Sequence, residues 1–297
     1  MPLSREGVVH RLVVDAFALI DARFVRSPIS DNNLDFHNSA HSVGVYDRAS
    51  AIYPLIFTPS ELVPTLERGL DLVRLSAAFH DVDQAWSERE EQDNFGLWRV
   101  RDAVLGREQR SFAQLRQLIE WRQLDGAFAP GELDILSEAI IATEAQYDPN
   151  LGTVIQPHLN STTSLVAQAV AMADLSYPGM VGGKEFCRAG DALFRENNLG
   201  IKQLIEATKH QESLRPDIVQ AIANRIRHWS RRQVLYIRSR RRRFQQEINF
   251  LPKHGRECVA QLFTSWDAAE VSSVAASLRR GRLEPADVIR DVGYSLP

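Results

Sequence analysis

Eight histidines are scattered through the 297 residues, and three of them stand where chemistry can be done. The stretch LDFHNSAHSVGVYDRA (34–49) sets His37 and His41 four residues apart, beside Asn38. If this segment is helical, both imidazoles project from one face and can converge on one centre. The stretch LSAAFHDVDQ (75–84) places His80 and Asp81 side by side after an apolar run. A charged aspartate buried there costs several kcal/mol unless it is paired or bound to a metal. Another carboxylate, Asp174, ends the small, apolar run AVAMADLSYPG (169–179), where water is expected to be excluded. An aspartate in that place can also simply cap the following turn.

The elements that must carry these residues read as helices. Val9, Leu12, Val13, Ala16, Phe17, Ile20 and Phe24 recur at helical spacing and predict an amphipathic first helix. A second helix is expected over 62–79, with Ser60 as a cap and Pro64 near its start, where proline is tolerated. EQRSFAQLRQLIEWRQLD (108–125) and GELDILSEAIIATEAQY (131–147) predict two more. STTSLVAQAVAMADLS (161–176) is apolar on most sides and predicts a central buried helix. Residues 213–251 predict one long helix or two in series, and the last forty residues two short ones. Strand-like alternation is scarce, and the breakers at 26–33, 147–160 and 176–183 are too short for domain linkers. The expected architecture is all-α, one multi-helix domain over 1–297. Its motif-bearing core covers about 30–250, and the C-terminal helices of 251–297 pack on it.

Composition narrows the function. The chain is 44% hydrophobic and carries a formal net charge of −3, which does not advertise nucleic acid or acidic lipid as the main partner. Cys187 and Cys258 lie in unrelated contexts and suggest a reducing compartment, so a cytoplasmic location is expected. No apolar stretch of about 20 residues is present, so no membrane span is expected, and no signal peptide is visible.

The order His, His-Asp, Asp, each in an apolar helical setting, resembles the HD superfamily of metal-dependent phosphohydrolases. Most closely it is similar to the catalytic domain of class I 3′,5′-cyclic-nucleotide phosphodiesterases. The matching residues are Phe36, His37, Asn38 and His41; then His80, Asp81 and Asp83; then Ala142 and Thr143, with Glu144 in place of aspartate; then Ala173, Asp174, Leu175, Ser176 and Pro178. Gln84 stands where that family has histidine, and Tyr177 where it has asparagine. The resemblance covers about 34–240.

It implies that His41, His80, Asp81 and Asp174 bind a first metal (zinc, iron or manganese). Asp81 would bridge to a second ion (magnesium or manganese), held otherwise by water. His37 would be a general acid for the leaving oxygen. Asn38, Asp83, Gln84 and Thr143 would support the metal centre, with Glu90 or Glu91 as a further candidate. Tyr177 would form a pocket wall. Gln233 and Tyr236, spaced as a glutamine–aromatic pair, would hold and stack a purine, with Gln246 as the competing glutamine. The implied reaction is hydrolysis of a cyclic nucleotide to its 5′-monophosphate. Two alternatives stay open: a phosphohydrolase acting on a nucleotide monoester or other small phosphate ester, and a non-catalytic nucleotide- or partner-binding module that retains a metal. A homodimer is left open.

The basic run Arg238, Arg240, Arg241, Arg242 and Arg243 reads first as a solvated helix face balanced by acids elsewhere. A phosphate-binding rim and a nucleic-acid or membrane contact are the alternatives.

Overall fold

The computed structural model describes residues 4–58, 65–208 and 214–296. The chain is mostly helical, and the described residues form twelve α-helices and two small antiparallel hairpins. Helix α1 (Arg5–Phe24) is capped by Ser4, whose hydroxyl accepts from the Gly7 amide at 3.2 Å. It buries Val8, Val9, Leu12, Val13, Ala16 and Ile20, while Phe17 and Phe24 pack at the margin. The stripe read from the sequence is therefore the face that enters the core. The expected cap at Ser60 and Pro64 lie outside the described residues; α3 is seen over Thr65–Phe79.

Helix α6 (Leu165–Leu175) is the axis of the larger core. Every residue from Val166 to Ala173 is buried, four of them alanines. Small side chains on all sides let α2 (Ser39–Ile52), α3 and α5 (Glu132–Ile141) approach it closely. Helix α4 (Arg107–Trp121) closes the group through Leu115 and Ile119.

A second core forms around the first half of α9 (Pro216–Glu247). Ile222 and Ile226 meet Trp98, Phe194, Ile201 and Val288 there. The far half of α9 joins the larger core through Ile237 and Phe244, so this one uninterrupted helix of 32 residues ties the two together. Helices α7 (Gly183–Asn197) and α8 (Leu199–Thr208) precede it. The last forty residues hold the two expected helices, α11 (Trp266–Arg282) and α12 (Pro285–Asp291), and a further short helix, α10 (Lys253–Ala260), precedes them.

The strands were not foreseen. β1 (Trp86–Gln92) pairs antiparallel with β2 (Leu97–Ala103), directly after the His80-Asp81 turn. β2 alternates: Trp98 and Val100 are buried, Leu97 and Arg99 exposed. Asp93 closes the turn by accepting from the Phe95 and Gly96 amides and the Trp98 indole. Arg225 of α9 then binds Asp93 at 2.5 Å and Glu91 at 2.8 Å, clamping the hairpin onto the helix. The second hairpin, β3 (Gln146–Asp148) with β4 (Thr153–Ile155), takes the place of the helical extension expected to Tyr147.

A candidate metal and acid–base centre

The helix carrying His41 begins one turn later than its spacing suggests. Asn38 has an extended backbone, and its side-chain oxygen accepts from the amides of Ala40 (3.0 Å) and His41 (3.3 Å). It is thus the N-cap of α2. His37 lies before the helix, and the two histidines do not share a helical face. Their ring centroids are still 5.7 Å apart, with Phe36 against both rings.

His80 and Asp81 occupy the turn just after α3. A helix C-terminus leaves carbonyls without partners. The Ala77 carbonyl is met by His80 Nδ1 at 2.8 Å, so that nitrogen donates and Nε2 is the one turned toward the centre. Asp174 arrives from the last turn of α6. The ligand atoms of His41, His80 and Asp174 all lie within 4.8 Å of one another. Asp81 Oδ2 is 3.2 Å from His80 Nε2 and 3.4 Å from His41 Nε2.

His80 Nε2 and Asp81 Oδ2 are buried 3.2 Å apart, and neither makes a well-aligned hydrogen bond. Buried polar atoms so poorly satisfied are costly. Two imidazoles and two carboxylates surrounding them form a nitrogen–oxygen donor set of the kind that zinc, iron and manganese accept. The residues present therefore fit one divalent cation.

The surroundings give the three histidines different proton affinities. Burial, helped by the neighbouring His80, lowers the affinity of His41, and the carboxylates do not offset it. At His80 burial is outweighed by Asp81, which pushes the pKa up to about 9. At His37 burial is outweighed by Glu196, and the pKa is raised.

Glu196 is the residue that sequence reasoning missed. It is buried near the end of α7, and Oε1 lies 2.5 Å from His37 Nδ1. Oε2 accepts from the backbone amides of Phe36 (2.8 Å) and His37 (2.9 Å). The segment FRENN carries no motif, and 159 residues separate it from His37. Its only advance signal is an acid on an otherwise core-facing position of an amphipathic helix.

A cavity of about 480 Å³ opens over this centre. His37, Asp81 and Asp174 line it, as do Gln233, Tyr236 and Tyr177. The expected glutamine–aromatic pair is therefore brought to the same space as the histidine–aspartate centre. Tyr236 stacks on Phe186 at 6.3 Å and 9°, while its hydroxyl reaches the Leu175 carbonyl. Gln233 packs against Gly190, where an added Cβ would come within 3.1 Å of its Oε1. Gln246 is exposed and accepts from Arg243, away from the cavity.

The remaining expected residues fall in two groups. Thr143 lines the cavity and bonds the Ile140 carbonyl. Gln84 is buried and donates to Asp81 Oδ1 at 2.7 Å, while its own Oε1 accepts from Arg107 at 2.8 Å. Asp83 turns away to α4, taking Arg110 at 3.1 Å and the Ser111 hydroxyl on its amide. Glu90 and Glu91 lie on β1, where Glu90 is exposed opposite Arg99 and Glu91 pairs with Arg225. The structure does not bring these three acids to the centre.

The second expected ion rested on Asp81 and water. Asp81 Oδ1 is already held by an amide that a guanidinium holds in turn.

The arginine run is not one solvated face. Arg240 is fully buried, bound to Glu247 and, at 2.9 Å, to Ser176 Oγ. Arg238 pairs with Glu270 and Arg241 with Asp267, and Arg243 reaches Glu247 at 3.1 Å. Acids thus balance most of the run, as the first reading had it, but one member serves the core.

No helix among the described residues is long and apolar enough to cross a membrane. No family model, curated protein or solved structure matches the chain.

Proposed function

We propose that the protein is a metal-dependent phosphohydrolase that cleaves a P–O ester bond in a small phosphate ester bearing an aromatic group, with a 3′,5′-cyclic nucleotide as the leading substrate. One observation carries this reading. A His41/His80/Asp81/Asp174 centre with poorly satisfied ligand atoms presents Asp81 and Asp174 to the cavity that a second, carboxylate-backed histidine, His37, also lines. A purely structural metal site has no use for His37 and Glu196.

His41, His80, Asp81 and Asp174 would hold the cation. When bound, such an ion polarises a phosphoryl oxygen and makes water acidic enough to attack at neutral pH. His37 holds a proton. Its Nδ1 is engaged by Glu196, which leaves Nε2 to deliver that proton to the departing alkoxide. The raised affinity keeps the imidazole charged at a pH where an ordinary histidine has begun to lose its proton. Gln233 offers an amide to a base edge, and the Tyr236 and Tyr177 rings offer apolar walls. The cavity volume lies in the range of small-molecule sites.

The test separates the two histidines. His41→Ala is expected to lose metal and activity together on every substrate. His37→Ala is expected to keep its metal and to lose about 10²–10⁴-fold on an ester with a sugar alkoxide leaving group. On a p-nitrophenyl ester, whose leaving anion needs no proton, the loss is much smaller. Single-turnover rates with added manganese read this directly. Equal losses on both esters, or loss of metal in the His37 variant, refute the assignment.

A further inference from the structure

Asp81 is the residue on which a second ion would have to rest, and the chain has built something else beside it. Gln84 sits three residues on, buried, with its amide nitrogen on Asp81 Oδ1 at 2.7 Å. That contact fixes the orientation of the amide, so its oxygen faces the other way. The oxygen takes Arg107 Nη1 at 2.8 Å. A histidine at position 84 could bridge the carboxylate and the guanidinium only as one neutral tautomer, whereas the amide does so whatever the pH. The Gln84 departure and Arg107 are thus one device.

Arg107 is the first residue of α4, and it lines the same cavity as His37 and Asp81. Its nearest acid, Glu108, faces Nη2 at 3.6 Å, an ion pair too long to be a hydrogen bond. That pair offsets the charge of Arg107 only in part, leaves most of its donors uncommitted, and the guanidinium is near enough to His37 to work against the ring's protonation. A guanidinium has five donors in a planar fork that matches phosphate oxygens, and only one of those donors is committed to Gln84.

We propose that Arg107, positioned by Gln84, supplies the fixed cation that binds the phosphoryl oxygens of the substrate, and that the centre takes one metal ion per chain. This inference rests on the phosphohydrolase reading, but it can fail separately. One divalent charge then comes from the His41/His80/Asp174 side and one positive charge from the protein itself on the Asp81 Oδ1 side. The arrangement favours esters whose phosphoryl group carries two non-bridging oxygens for the fork.

The experiment uses the full chain with manganese alone and then with inorganic phosphate. Elemental analysis after equilibrium dialysis against excess manganese is expected to find one ion per chain in the wild type. Arg107→Met is expected to keep that one ion and to bind phosphate at least about tenfold more weakly by titration calorimetry, the scale of a lost charge-assisted bond. Arg107→Lys keeps the charge without the fork and is expected to recover part of the affinity. It also stands in if the methionine variant does not fold. Two manganese ions per chain in the wild type overturn this inference and leave the proposed function standing. No bound metal overturns both. One ion with phosphate affinity unchanged in both Arg107 variants removes Arg107 from the phosphate site.

Discussion

Glu196→Gln isolates what a carboxylate does for His37. The amide keeps the size of the side chain and can still accept from the Phe36 and His37 backbone amides, so the chain entering α2 stays anchored. What is lost is the charge 2.5 Å from Nδ1. Burial opposes the protonated ring, and without Glu196 its main counterweight disappears, so the pKa falls from its raised position toward or below the ordinary 6.5. At pH 7.5 a histidine titrating at 6.5 is protonated in about one molecule in ten. The variant is therefore expected to lose kcat/KM on an alkoxide-leaving ester at pH 7.5 relative to wild type, and progressively less below pH 6.

Stability should show the same charge pair. His37 has a raised affinity, so its contribution is complete below about 6.5 and is lost as pH rises through the folded value. Glu196 has a lowered one, because His37 and the two amides outweigh its burial. Its contribution is complete above about 4.5 and is lost as pH falls through its folded value. The stability gap between wild type and variant is thus widest between about 4.5 and 6.5. Breaking a buried pair costs about 3–5 kcal/mol, and the retained backbone contacts put this case at the low end. Urea denaturation and kcat/KM across pH 5–9 measure both effects. A wild-type-to-variant rate ratio that is flat with pH would refute the charge argument and leave Glu196 only a structural anchor.

Asp81→Ala is expected to abolish turnover and to lower bound metal, read by elemental analysis, because it removes the carboxylate nearest His80 and one as near His41 as Asp174. Gln233→Ala is expected to raise KM for a purine nucleotide by about 2–10-fold, with little effect on an aryl phosphodiester, since one hydrogen bond to a base edge is at stake; equal effects on both would exclude base contact. Arg240→Ala removes the buried partner of Ser176 and leaves Glu247 only Arg243, and it is expected to destabilise the fold by about 3 kcal/mol in denaturant melts. Charge reversal at Arg238 and Arg241 is expected to leave the same melts nearly unchanged, because those pairs are surface ones.

The helices were legible because their apolar period is strong and their faces are large. Val9, Leu12, Val13, Ala16 and Ile20 are core, and 166–173 is buried on all sides. The β1–β2 hairpin was not legible. WSEREEQ is too charged to resemble a strand, and it holds its place through pairing with β2 and through Arg225, both tertiary facts. Arg240 misled for a related reason. A run of arginines reads as solvent-facing, yet the helical period turns one of them inward, where Glu247 and Ser176 make its burial tolerable. At the candidate site, adjacency in sequence was informative for His80-Asp81. It was silent on Glu196 and on the Gln84–Arg107 contact, which depend on α7 and α4 arriving from elsewhere.

The start of α2 explains how two histidines four residues apart come to differ. Had the helix begun before His37, the amides of Phe36 and His37 would have faced along its axis with its other unpartnered N–H groups. With Asn38 as the cap, the amides of Phe36 and His37 stay outside the helix and need an acceptor, and Glu196 supplies it. The same contacts help keep Glu196 ionised, and an ionised Glu196 keeps His37 protonated. His41, inside the first turn, is buried where its proton affinity is lowered, which leaves a lone pair for a cation. One capping residue thus separates a proton donor from a metal ligand. The helical face expected to unite them would have put both imidazoles in the same environment and given them the same chemistry.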